Sequence, residues 1–129
     1  MEELIFSILP KFNLNNQMPT LKQANVKMTD VKPGVKRRML HLDSLHLVVI
    51  DFTNGPWSEP DPFHNHVQEQ VTYVEHGEID FYCEGEETQR LTAGYVFAVA
   101  SNKQHTIQLL SPTARLVDSF TPLREDFFK

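Results

Sequence analysis

Three imidazoles and one amide stand where they could hold a metal ion. His64 and His66 are two residues apart in PFHNHVQEQVTYVEHG, Gln70 follows four residues later, and His105 closes GYVFAVASNKQH. In an extended strand, residues two apart share a face, so His64, His66 and Gln70 are expected to point into one interior while Glu69 points away. His105, from a separate strand, would complete the set. Imidazole donors suit several first-row metals, so the expected cofactor is a divalent transition metal, with nickel, zinc, manganese, iron and copper all open.

Those side chains need strands to carry them. From Val35 onward, short runs rich in Val, Ile, Phe and Tyr recur every eight to twelve residues between turn residues, the rhythm of a sandwich or small barrel. Strands are predicted at about 35–42, 45–53, 62–67, 70–76, 78–83, 87–92, 95–99, 104–110 and 114–121, with Gly77, Gly85 and Gly94 at turns. The fold class is therefore all-β, a jelly-roll barrel whose mouth can hold a small ligand. Residues 1–34 read differently: Asn13, Asn15, Asn16 and Pro19 break any pattern, and Lys32-Pro33-Gly34 signals a turn. They are expected to form an N-terminal arm or tail ahead of one domain at 35–129, and Met18 is an alternative start.

Composition narrows the function. A formal charge of -5 over 129 residues leaves no basic surface for a phosphate backbone, so no nucleic-acid partner is expected. Cys83 is the single cysteine, so no internal disulfide can form and a reducing compartment fits. The apolar stretch from Leu4 to Leu9 follows acidic Glu2 and Glu3 and is far shorter than the roughly 20 residues of a membrane span. The expectation is a cytoplasmic protein without a membrane partner.

The run from His64 to Gln70, then Gly77, Gly94 and His105, resembles the two sequence motifs of the cupins. It implies a cupin-type double-stranded β-helix with His64, His66, Gln70 and His105 as metal ligands. A glutamine in place of the usual glutamate leaves every donor neutral, which would favour anionic substrates. The closing segment from Asp118 to Phe128, DSFTPLREDFF, resembles that of the KdgF-type cupins, which open the ring of unsaturated uronates. That resemblance implies a metal-dependent enzyme converting 4,5-unsaturated uronate monosaccharides from pectin or alginate into linear keto acids. It also implies catalytic-site roles for Asp118 as general acid/base, Phe120 against a sugar face and Arg124 as carboxylate clamp. Asp118 and Phe120 share a parity and so can both point inward, while Pro122 ends the strand and lets Arg124 turn over the mouth. An iron-dependent cupin dioxygenase and a non-catalytic sugar-binding cupin are the rival readings.

The pattern has departures. Ala100 and Asn102 stand where the second motif usually has Pro and Gly, Leu109 replaces the usual Asn, and Ser58 stands where Gly is common. Asn102 tolerates a left-handed bend, and the loop from Asn54 to Pro62, with Trp57, could shape the entrance. His41, His46 and His76 read as satisfied strand or turn histidines, and Cys83 as a small side chain packed near a hairpin end. Phe127 and Phe128 are expected to pack on a neighbouring sheet or subunit. The apolar face carrying Val71 and Tyr73 is expected to be covered, in a homodimer.

Overall fold

The computed structural model describes residues 20–128. Among these residues, nine strands form two antiparallel sheets. The larger, in the order β1-β2-β3-β9-β4-β7, comprises β1 (Met28–Lys32), β2 (Val35–His41), β3 (His46–Phe52), β9 (Ala114–Thr121), β4 (Glu69–His76) and β7 (Val96–Val99). The smaller, in the order β6-β5-β8, comprises β6 (Gln89–Leu91), β5 (Ile79–Cys83) and β8 (His105–Leu109). This is the expected jelly roll.

Two sequence expectations change. Met28–Lys32, placed in the arm, pairs with β2 as the edge strand of the large sheet; its Thr29, Asp30 and Lys32 give that open edge the polar character that discourages further pairing. The remainder of the expected arm up to residue 19, Met18 included, lies outside the described residues. The strand expected at 62–67 is reduced to one bridge, His64 to His105, because the chain bends at Val67 and Gln68 before β4 begins.

Alternation on the large sheet sorts the molecule into a dry end and a polar end. Val35, Phe52 and Ala114 are neighbours across three strands, as are Ile50, Leu116 and Val74. They meet Ile79, Phe81, Leu91 and Leu109 of the small sheet in the main core. One step along the strands, Met39, Val48, Asp118 and Thr72 are aligned; the next step aligns His41, His46, Phe120 and Gln70. The inner face thus turns from aliphatic to hydrogen-bonding within two residue pairs. Gly77 closes the β4–β5 turn at φ 94°, where a Cβ would also collide with Ala114.

Candidate metal and substrate site

The two histidine segments are tied together by backbone. His64 and His105 exchange both amide hydrogen bonds, at 3.1 and 2.9 Å, and the Asn102 amide donates to the His66 carbonyl at 2.7 Å. Asn102 adopts φ 67°, the left-handed bend expected of it. One potential ligand nitrogen from each of His64, His66 and His105 lies within 4.8 Å of the others. The convergence comes from this bridge and bend rather than from three side chains on one regular strand.

Each imidazole is turned by a backbone carbonyl. His66 Nδ1 donates to the Gln68 carbonyl at 3.0 Å, His105 Nδ1 to the Lys103 carbonyl at 2.9 Å, and His64 bonds the backbone at Pro62. A carbonyl only accepts, so the bonding nitrogen carries the proton and the other keeps its lone pair for a metal. Desolvation is the largest cause lowering all three pKa values, with the Arg124 charge also acting on each; His105 falls to about 4. The rings are therefore neutral at ordinary pH, the form that ligates.

Gln70 is oriented by a relay. Its Nε2 donates to Thr72 Oγ1 at 2.9 Å, and Thr72 gives its single hydroxyl proton to Asp118 Oδ1 at 2.6 Å. Gln70 Oε1 consequently faces His66 Nε2 at 3.2 Å. With Nδ1–H already engaged, neutral His66 has no proton for that contact, so two lone pairs face each other. A cation between them resolves the conflict, and an all-neutral set of imidazole and amide donors fits a divalent ion.

Asp118 is 4% exposed. Burial raises its pKa from 3.8 to about 6, against the lowering effects of the Thr72 hydroxyl and the Arg124 charge. It lines a cavity of about 280 Å³ together with His64, His105, Gln70, Phe120 and Arg124. Six of the seven expected site residues share this cavity, and His66 adjoins it through Gln70.

Arg124, expected as the carboxylate clamp, lines the cavity while paired within its own turn. Its Nη2 and Nε bond Asp126 at 2.8 and 3.4 Å, and its guanidinium carbon lies 4.2 Å from the Phe127 ring centre. Phe127 packs on Phe120 and His46 of the large sheet within its own chain, as expected, and it also lines the cavity. His46 is unlike the satisfied histidine expected. It is 1% exposed, its Nδ1 has no hydrogen-bond partner among the described residues, and its Nε2 accepts the Arg124 amide at 3.4 Å. Desolvation, then the charges of His41 and Arg124, lower its pKa to about 4. His76 fits the structural reading, bonding Glu75, and His41 bonds the Leu42 carbonyl through Nδ1; half-buried Cys83 packs on the main core.

The sequence reading missed Thr72, which orients Gln70, and Arg37, which lines the cavity from β2. Both carried a signal. Thr72 shares the parity of Gln70, and Arg37 alternates with Val35, Met39 and His41, so each belongs to an inner face.

Comparison with known proteins settles the family. The cupin-domain family model matches residues 52–119. The pectin degradation protein KdgF of Dickeya dadantii (strain 3937) is 31% identical over 96 residues, which is 73% of this chain and 84% of that protein. The chain belongs to the cupin family, among its KdgF-like members. The structure of KdgF from Halomonas sp. superposes on this cupin with a TM-score of 0.72 at 29% identity, covering 82% of this chain and 96% of that one. An RmlC-like cupin from Shewanella frigidimarina NCIMB 400 gives a TM-score of 0.73 at 33% identity, covering 83% and 93% of the two chains. Oxalate decarboxylase of Bacillus subtilis, at 17% identity and a TM-score of 0.69, shares the fold. The cupin fold and the His64, His66 and His105 cluster together fit a divalent metal site.

Proposed function

We propose that this cupin converts 4,5-unsaturated uronate monosaccharides, released from pectin or alginate, into linear keto acids. The observation that carries the reading is the relay from the histidine cluster through Gln70 and Thr72 to a buried carboxylic acid, all around one small cavity. The pectin-degradation relatives support it.

The overall change is an isomerisation. Opening the cyclic hemiacetal moves the anomeric hydroxyl proton to the ring oxygen and leaves an enol at C5. The enol becomes a ketone when C4 gains a proton and the enol hydroxyl loses one. A group that both gives and takes protons near neutrality is required, and Asp118, at a pKa of about 6, meets that need. Positioned proton transfer of this kind contributes roughly 10²- to 10⁴-fold. Phe120, in the strand pairing beside Gln70, offers an apolar face for the sugar ring.

His64, His66 and His105, with Gln70 as fourth donor, would hold the divalent ion, one of nickel, zinc, manganese, iron or copper. When bound, it supplies a Lewis acid that polarises sugar oxygens. Arg124 stacks near Phe120 and Phe127 and adds positive potential to the mouth. Following the ultraviolet absorbance of the substrate double bond tests the function: purified protein should accelerate its decay, and Asp118→Asn and Gln70→Ala should not. Equal decay in all three preparations would refute it.

We also infer a homodimer in a reducing, cytoplasmic setting. Val71, Tyr73 and Val96 are 58%, 45% and 70% exposed on the outward face of β4 and β7, an apolar surface suited to a second copy. Among the described residues, no helix is long and apolar enough to cross a membrane.

A further inference from the structure

We propose that Arg37, from β2, is the residue that binds the substrate carboxylate; this deepens the uronate reading and rests on it. An arginine on the inner face of a sheet, between Val35 and Met39, gives up hydration and has to be compensated. Yet among the described residues the Arg37 side chain makes no hydrogen bond or ion pair. Its Nε is buried and without a partner. The Phe127 ring steadies it, with its centre 3.9 Å from the guanidinium carbon.

The other cations around the cavity are engaged. Arg124 makes its two-pronged bond to Asp126. Lys32 donates to Asp61 at 2.7 Å and lies over the Trp57 ring. Arg37 therefore offers an unused, planar, doubly donating group to the same cavity that His64, His105 and Asp118 line. Phe127 carries the guanidiniums of Arg37 and Arg124 at 3.9 and 4.2 Å, so two like charges are held close with only Asp126 near both. An incoming carboxylate relieves that repulsion as well as filling the empty donor positions. Arg124 and Asp126 then serve to hold the closing turn, Glu125–Phe128, and with it the ring on which Arg37 rests.

The placement also divides the labour. Arg37 is three strands from Thr72 and one residue pair nearer the aliphatic end than Asp118. A uronate whose carboxylate meets Arg37 can still direct its ring toward Asp118 and the histidines. This contact is present before, during and after proton transfer, so it contributes uniform binding and belongs in KM rather than kcat.

The test uses metal-loaded full-length protein, with D-galacturonate and D-galactose as calorimetric probes and turnover of unsaturated uronate in parallel. Arg37→Met, which keeps the stem and removes the fork, should weaken galacturonate about 10- to 100-fold, the range of a charge-assisted hydrogen bond. It should leave galactose unchanged. KM for the unsaturated uronate should rise by a similar factor with kcat within about threefold. Arg37→Lys, which keeps the charge but loses the planar fork, should bind galacturonate more weakly than wild type and galactose equally well, a comparison that needs no folded methionine variant. Equal losses for the acid and the neutral sugar, unchanged galacturonate affinity, or no measurable galacturonate binding by the wild type would overturn the assignment. A wild type that does not turn over unsaturated uronate, yet loses galacturonate in Arg37→Met, would keep the carboxylate site and refute the proposed reaction.

Discussion

Replacing Asp118 with asparagine should abolish turnover and, in metal-free protein, raise stability at neutral pH. Asp118 is a buried acid whose folded pKa is raised from 3.8 to about 6, chiefly by desolvation. Below about pH 4 the folded and unfolded chains both keep the proton, and the shift has no effect. Between pH 4 and 6 the unfolded chain releases a proton that the folded chain retains, so stability falls as pH rises. Above pH 6 the loss is complete. Roughly two pKa units at 1.36 kcal/mol each give about 3 kcal/mol. Asparagine does not titrate and can accept the Thr72 hydroxyl proton through its side-chain carbonyl. The stability of Asp118→Asn minus that of wild type should therefore grow by up to about 3 kcal/mol from pH 4 to pH 8. Urea unfolding after chelation measures this, and taking the difference between variants cancels groups that titrate alike in both. Adding the metal back should narrow the gap, because a nearby cation favours the charged carboxylate. A difference that stays flat from pH 4 to pH 8 would refute the reasoning.

Thr72→Val removes the hydroxyl that orients Gln70 and lowers the Asp118 pKa. Metal affinity should weaken about 10- to 100-fold, as for other residues that orient ligands, and the acidic limb of the rate profile should move to higher pH. A variant matching wild type in both would show that the relay does not act. Because His105 keeps its lone pair down to about pH 4 and His64 and His66 are lowered as well, bound metal measured by elemental analysis should persist below pH 6.5, the ordinary histidine value. Half-release at or above pH 6.5 would contradict the ligand set. His46 is lowered to about 4, so it contributes stability that is present above the unfolded value near 6.5 and lost as pH falls toward 4. His46→Phe should unfold less steeply over that acid range, and an unchanged slope would refute the role. Val96→Glu places a charge on the exposed apolar face, and the mass in solution, by light scattering, should fall to that of one chain. A wild type that is already monomeric would refute the dimer.

The sequence by itself determined the type of fold and most of the chemical groups. Apolar runs rich in Val, Ile, Phe and Tyr between turn residues located the strands from Val35 to Thr121 within a residue or two, apart from the one expected at 62–67, because such side chains pack well on a half-buried pleated surface. Parity alone placed Asp118 and Phe120 inward together, and glycine and asparagine marked turns whose positive φ other residues resist. Parity failed at His64 to Gln70, where the regular strand gives way to a single bridge and a bend. Convergence there depends on His64 pairing with His105 and His66 with Asn102, contacts that span 41 and 36 positions along the chain.

Tertiary structure decided what each polar group does. Arg37, Arg124 and Lys32 carry the same charge by residue type, and the sequence singled out Arg124; among the described residues, packing joins Arg124 and Lys32 to Asp126 and Asp61 and leaves Arg37 with open donors beside the cavity. Asp118 is an ordinary carboxylate until burial between β3 and β4 removes its water. Charge and hydrogen-bond capacity are carried by residue type, but desolvation and pairing depend on which distant residues arrive alongside, and only the folded chain sets those.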